Sequence, residues 1–261
     1  MDVSVAMAYL NRLPQLRYTL TTMRKFGFTG EVVICDDFSA AEHDPRGLAA
    51  EFPEMEIRVV SPEIECLNPA HAFNCALKAC SRAITIIQNP ECCWTQNIAQ
   101  RCMERLTDTI YLSFGCVRFK EWQTRVLQET NEYKRHLHST TWLNHSVHRP
   151  EGFHFCAGVK TDVFRRKLGG GFDEQFNHGL WYDDNELVFR VRKELDLVFD
   201  DDVCVIHQFH ERTDAPAGKT EQEVLDLRTK NRTLFRLTCA YYGSAAYSGI
   251  LPFPKPKDTP A

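Results

Sequence analysis

The residues of this sequence best suited to chemistry are carboxylates and imidazoles that stand where apolar runs end. Val32-Val33-Ile34-Cys35 stops at Asp36-Asp37, with Phe38-Ser39 behind them. An apolar strand ending in two carboxylates puts acceptors at the carboxyl edge of a sheet, where open α/β sheets bind ligands and an acidic residue can hold a ribose or a uracil-type ring. The competing reading is a strand-end turn in which Asp37 or Ser39 caps the next helix. Ile84-Thr85-Ile86-Ile87 ends in the same manner, in Gln88-Asn89-Pro90-Glu91. Pro90 forces an extended turn, and Glu91 projects a carboxylate either toward a cation or into solvent.

Two further stretches bear reactive groups. Gly169-Gly170-Gly171-Phe172-Asp173-Glu174 precedes Trp181-Tyr182-Asp183-Asp184-Asn185-Glu186-Leu187. Asp183 with Glu186 three positions on has the spacing of a capping box, which leaves Asp184 in the first turn of a helix. A carboxylate there, beside the rings of Trp181 and Tyr182, could take a proton from a hydroxyl held against those rings. Val205-Ile206-His207-Gln208-Phe209-His210 then delivers two imidazoles after the acidic run Asp200-Asp201-Asp202. Such a pair is either structural or part of a metal site, because imidazole binds Mn²⁺ alongside carboxylate and phosphate oxygens. The scattered His136, His138, His145, His148 and His154 fit no common zinc spacing. They read as a loop on the side of a second ligand.

These groups are positioned by short β-branched runs alternating with helical patterns. Strands are expected at Val3 to Tyr9, Val32 to Cys35, Ile57 to Val60, Ile84 to Ile87 and Ile110 to Phe114; helices are expected at Leu16 to Phe26, Ala70 to Ala79 and Ile98 to Leu106. This βαβ rhythm predicts an α/β protein with a Rossmann-like, mostly parallel sheet flanked by helices. Beyond Phe114 the rhythm breaks into a helix from Trp122 to Leu137 and an irregular stretch from His138 to Phe155. A helix from Asp184 to Leu195, strands at Leu197 to Phe199 and Val203 to Ile206, and a helix from Glu221 to Leu237 complete a mixed second half. The organisation expected is one domain over residues 1–245, with a boundary between halves near 115. The Pro-rich stretch 246–261 is a tail or a linker to further domains.

Composition narrows the function classes. A net charge of -4, with no basic block interleaved with aromatics, disfavours nucleic acid as a partner. No apolar run reaches membrane-spanning length and no basic, apolar leader opens the chain. The 11 cysteines are odd in number and many sit inside apolar runs, as expected for reduced thiols of a cytoplasmic protein. No Gly-rich phosphate loop follows the first strand, where Asn11-Arg12-Leu13-Pro14 begins the helix. A bound diphosphate would then need a divalent cation or basic side chains.

Taken in order, the motifs resemble the fold-A (GT-A) glycosyltransferases, in particular glycosyltransferase family 2, including microbial and large-virus glycan-building transferases. The opening strand with Asn11-Arg12, the Cys35 to Ser39 strand end and Asn68-Pro69-Ala70-His71-Ala72-Phe73-Asn74 look like that family's nucleotide-binding half. Gly170-Gly171-Phe172-Asp173-Glu174 and Tyr182 to Leu187 look like its acceptor-side signature. The resemblance implies a nucleotide-sugar donor, with a UDP-sugar favoured, held by Tyr9, Asn11, Arg12, Asp36, Asp37, Asn74, Gln88 and Asn89. It further implies a glycan or glycoprotein acceptor beside Trp181 and Tyr182, and Asp184, with Asp183, as the catalytic carboxylates of an inverting displacement. Glu91, with His207 or His210, would hold Mn²⁺ or Mg²⁺. Gln88-Asn89-Pro90-Glu91 offers one carboxylate where the family pattern has two. That departure motivates a second hypothesis, a catalytically inactive sugar-nucleotide-binding module of a larger protein. A nucleotidyltransferase is disfavoured by the absence of an early Gly-rich, basic phosphate loop.

Overall fold

Strands covered on both faces must be apolar on both faces, and the first two strands of the chain obey this rule. In β1 (Val3–Tyr9), Val3, Val5, Met7 and Tyr9 enter one core while Ala6 enters the other. After the helix α1 (Leu13–Lys25), β2 (Glu31–Asp36) splits likewise, with Val32 and Ile34 on one face and Val33 and Cys35 on the other. The period of two places α1 over one face and the helix α3 (Ala70–Ala79) over the opposite one. The short helix α2 (Leu48–Glu51) and β3 (Glu56–Val60) lie between β2 and α3. The structure is a computed structural model that describes residues 1–211 and 218–241, without the side chains of His138 and Ser139. The stretch 246–261 lies outside the described residues.

Next come β4 (Ile84–Gln88), β5 (Cys92–Trp94), α4 (Ile98–Arg105), β6 (Ile110–Arg118), α5 (Glu121–Thr130) and β7 (Thr141–Asn144). The chain continues through β8 (Cys156–Lys160), α6 (Thr161–Lys167), α7 (Asp183–Glu194), β9 (Asp196–His207) and α8 (Glu221–Tyr241). All strands join one nine-stranded sheet in the order β3-β2-β1-β4-β8-β6-β9-β5, with β7 paired to β6. β1 to β4 run parallel, as do β6 and β9, whereas β5, β7 and β8 are antiparallel to their neighbours. The fold is the α/β, mostly parallel arrangement expected. β2 and β3 lie to one side of β1 and β4 to the other, so the strand order reverses at β1. A crevice opens beyond the carboxyl ends of the strands at such a switch point.

The second half departs from the sequence reading in three places. The helix expected to run to Leu137 ends at Thr130, because Asn131 takes a left-handed conformation (φ 57) and caps it by donating to Leu127 O; a 3-10 segment (Lys134–Ser139) follows. The irregular stretch contains β7. The two expected strands at 197–199 and 203–206 are one strand, β9, whose register against β6 jumps from Asp200 opposite Phe114 to Cys204 opposite Gly115. That bulge aims the acidic run away from the cleft. Asp200 is buried and paired with Arg101 Nε and Arg105 Nη1, both at 2.6 Å, and the burial penalty on its charge is more than offset by these two guanidinium groups. Asp201 accepts from Ser146 N at 3.1 Å. None of the 11 cysteines is disulfide-bonded.

Candidate active site

The carboxyl ends of β1, β2 and β4 open into a cleft of about 660 Å³, within the size range of small-molecule sites. The turn after β4, the end of β9, the loop before β8 and the start of α7 close its other sides. Glu91, His207, His210, Asp183 and Asp184, which come from stretches far apart in sequence, all line this one cavity.

Glu91 is 1% exposed. Its Oε1 lies 2.9 Å from Arg12 Nη1, 3.1 Å from His207 Nε2 and 3.6 Å from His210 Nε2. Its Oε2 is buried with no hydrogen-bond partner among the described residues. Burial pushes this carboxyl upward, but the Arg12 charge, the His207 hydrogen bond and the two imidazoles outweigh it and hold the group well below the usual carboxylate range. Nδ1 of His207 is 3.1 Å from Gln208 O, and Nδ1 of His210 is 2.9 Å from Glu211 O. A carbonyl can only accept, so each Nδ1 donates to its carbonyl and both rings turn Nε2 toward Glu91. Burial first, and then Arg12, push His210 below its ordinary value, which favours the neutral form that a metal ligand needs.

One carboxylate and two Nε2 atoms within 4.8 Å of one another, with backbone carbonyls fixing the ring tautomers, match how metal ligands are oriented. The orphaned Oε2 of Glu91 supplies the unsatisfied acceptor that a cation would fill. One carboxylate and two imidazoles make a donor set that fits a divalent metal ion. Among the described residues this is the one cluster of three or more His, Cys, Asp or Glu groups with metal-ligand geometry.

Across the cleft, α7 begins at Asp183. The expected capping box is absent: the N-cap is Tyr182, no side chain caps the helix, and Glu186 is fully buried in an ion pair with Arg190, Oε2 to Nη2 at 2.7 Å. Arg190 also donates to Gly171 O at 2.8 Å, so this pair ties the glycine-rich loop to α7. Freed from capping, Asp183 accepts instead from the buried Asn68 amide at 2.9 Å. Burial, and next the charge of Asp184, push the Asp183 carboxyl up to about 6. Asp184 keeps 35% of its side chain exposed to the cleft, and its Oδ1 stands 2.9 Å from Nδ1 of His154. Trp181 (φ 64) and Tyr182 (φ 71) are both left-handed, a conformation that costs non-glycine residues energy and collects at functional sites. The Arg228 guanidinium sits 3.7 Å from the centroid of the half-exposed Trp181 ring, and the Tyr182 ring packs 5.8 Å from Phe235. Both contacts are made to α8.

On the nucleotide side the expected residues divide. Tyr9, Arg12, Asp37 and Asn89 line the cleft. Burial, and next the charge of Glu65, push Asp37 up to about 6. Asp36 is turned from the cleft to close the strand-end turn, accepting from Ser39 N at 3.2 Å, so neither Asp37 nor Ser39 caps a helix there. Asn11 is left-handed (φ 51) and accepts from Ala40 N at 2.8 Å, which joins the ends of β1 and β2. Asn74 and Gln88 do not line the cleft, and their amides bond to protein partners. Asn74 accepts from Phe172 N at 2.7 Å and donates to Phe172 O at 3.0 Å, clamping the glycine-rich loop. Gln88 is fully buried, accepting from Trp94 Nε1 at 2.7 Å and donating to Cys92 O at 2.8 Å.

Among the cleft residues that the sequence does not single out as site groups are His154, Arg118 and Arg149. Arg118 carried a usable signal, since it ends the apolar run of β6 as Asp36 ends that of β2. In the sequence His154 is one of a scatter of histidines, and three of the others lead elsewhere. His136 packs against Trp122, and His145 and His148 pack against Trp142.

No family model matches the sequence, and no curated protein does. The fold, however, has clear counterparts among solved structures. A mannosyltransferase of Pyrobaculum calidifontis in complex with GDP-Man and Mn²⁺ superposes with a TM-score of 0.57 at 19% identity, covering 81% of this chain and 58% of that one. TarS of S. aureus in complex with UDP-GlcNAc gives 0.60 at 13% identity, covering 87% and 64%. GalNAc-T7 with UDP, GalNAc and Mn²⁺ gives 0.58 at 14% identity, covering 94% and 52%. The chain thus spans less than two thirds of the length of each of these three structures. With the strand order, the switch-point cleft and these likenesses together, the chain has the GT-A fold of the nucleotide-sugar glycosyltransferases.

Proposed function

We propose that this protein transfers a glycosyl group from a nucleotide-diphosphate sugar to an acceptor hydroxyl with inversion, as a member of the group resembling glycosyltransferase family 2. One observation carries the reading: a cation-type centre (Glu91, His207, His210) and a carboxylate pair (Asp183, Asp184) face each other in a single cleft at the switch point of the sheet. Neighbours of the same fold carry GDP-Man, UDP-GlcNAc or UDP, two of them with Mn²⁺, which supports a nucleotide-sugar donor. A UDP-sugar is favoured, and the acceptor is a glycan or glycoprotein.

In this reading Asp37, Tyr9 and Asn89 border the nucleoside and Arg12 reaches the diphosphate. Glu91 with His207 and His210 would hold Mn²⁺, which when bound offsets charge on the departing diphosphate. Asp184 removes the acceptor proton at its half-open carboxylate while Trp181 and Tyr182 border the acceptor. Asp183, held by Asn68, supports the start of α7. The fold-level domain is residues 1–245, with 246–261 a tail or linker. No helix among the described residues is long and apolar enough to cross a membrane, and the free thiols fit a reducing, cytoplasmic setting. The test is to incubate the protein with UDP- and GDP-sugars, with Mn²⁺ or with chelator, and measure released UDP or GDP. Release that needs Mn²⁺ is expected; no release and no Mn²⁺-dependent donor binding would defeat the proposal.

A second reading of the metal centre has its own observation. Arg12 already supplies a positive charge to Glu91 Oε1 at 2.9 Å, so basic side chains alone could hold the diphosphate. Donor turnover unaffected by chelator would select that reading.

A further inference from the structure

His154 lies on the loop before β8, 4% exposed, with its ring set against the stacked pair Phe73 and Phe172, whose centroids are 5.1 Å apart. Both phenyl centroids are 4.8 Å away, and both planes are nearly perpendicular to the imidazole, at 85° and 74°. Edge-on contacts to two rings from different elements, in a buried site, leave the imidazole little freedom to turn. Its Nδ1 is 2.9 Å from Asp184 Oδ1, yet the ring N–H is poorly aligned with that oxygen and makes no well-formed hydrogen bond. Catalytic hydrogen bonds are often loose before substrate binds and tighten afterwards.

A buried imidazole packed on phenyl rings is ordinarily neutral. Here burial does push His154 down, but the adjacent Asp184 and then Asp183 more than reverse it and raise its pKa. These two carboxylates of α7 are the charged groups that act on it, and α3 and the glycine-rich loop pack Phe73 and Phe172 against it. Tyr111 of β6 shares the Asp184 field, and burial and that charge push its phenol up. A proton on this ring offsets the charge of two carboxylates crowded at one helix start.

We propose that His154 is the positioning residue for Asp184: it holds Oδ1 from the buried side and leaves the second carboxylate oxygen to meet the acceptor hydroxyl. The inference rests on the reading of Asp184 as the base. An unanchored Asp184, partly exposed in the first turn of α7, would sample several rotamers, and misplacement by about 1 Å can cost about 100-fold in rate.

The experiment uses the full chain with UDP-GlcNAc, UDP-GalNAc and GDP-mannose as donor probes, and NMR titration of the His154 ring. His154→Phe fills the aromatic slot without an N–H, and His154→Asn restores an N–H near the Nδ1 position. Expected results are a fall in kcat of about 10- to 100-fold for His154→Phe at unchanged donor KM, with most of the loss recovered in His154→Asn. In an Asp184→Asn background, His154→Phe should cause no further loss. Independently of turnover, the His154 ring should titrate above its ordinary value of 6.5 and move down in Asp184→Asn. Unchanged kcat in His154→Phe, or a His154 titration indifferent to Asp184→Asn, overturns the proposal. Full turnover in Asp184→Asn defeats instead the base assignment on which it rests.

Discussion

Asp183 is buried against another carboxylate, and this arrangement should cost the protein stability that a single isosteric change returns. The ordinary aspartate value of 3.8 is raised here to about 6, first by burial and then by the charge of Asp184. Asp183→Asn keeps the Oδ1 that accepts from Asn68 at 2.9 Å and removes the charge. A rise of about two units, at 1.36 kcal/mol per unit, corresponds to about 3 kcal/mol. Below pH 3.8 the wild-type group is protonated both folded and unfolded, and the substitution should gain nothing there. Between 3.8 and 6 the folded state retains a proton that the unfolded state releases, so wild-type stability falls as pH rises. Above pH 6 the penalty is complete. The difference in Tm between Asp183→Asn and wild type should therefore be near zero at about pH 3.5 and grow through that window. It should level off at about 6–12 °C, given about 2–4 °C per kcal/mol for a domain of this size. Differential scanning calorimetry at constant ionic strength across about pH 3.5–7.5 measures it. A Tm difference that does not vary with pH, or a variant less stable than wild type at pH 7, would refute the reasoning that two carboxylates are forced together here.

Asp184→Asn should lower turnover by about 100- to 10,000-fold while leaving donor binding unchanged by calorimetry; near-wild-type turnover would remove Asp184 from the mechanism. Glu91→Ala should weaken Mn²⁺-dependent donor binding by at least about 10-fold, with no difference between variant and wild type once chelator is present. Arg12→Gln, by releasing Glu91 Oε1 from its 2.9 Å ion pair, should tighten Mn²⁺ binding to the donor-free protein, as read by titration calorimetry. Asn231→Ala removes a fully buried amide that donates to Phe176 O at 3.0 Å and Trp181 O at 2.9 Å. Loss of these two buried hydrogen bonds should cost about 1–3 kcal/mol and lower Tm. The same loop tolerates no side chain at Gly179, where an added Cβ would lie 2.2 Å from Asn231 Oδ1.

The first half of the fold was legible in the sequence because its strands are covered on both faces and read as unbroken apolar runs, each ending in the polar groups that border the cleft. β1, β2, β4 and β6 follow this rule. The carboxylates and histidines of the site were legible for the same reason, since a strand or helix end tells which residues sit at the edge. What the sequence alone does not determine is how each edge residue spends its hydrogen bonds. Asn74 and Gln88 carry the same chemistry as Asn89, yet tertiary packing consumes their amides against Phe172 and Trp94. Glu186 has cap spacing, but Arg190 claims it. His154, indistinguishable in sequence from its neighbours, reaches Asp184 because Phe73 and Phe172, from elements far from it in the chain, fix its ring. Local pattern specifies which groups reach the cleft, because burial is periodic along each element. Their roles are decided by partners from distant segments, because a buried donor or acceptor must be satisfied by whatever the completed fold brings beside it.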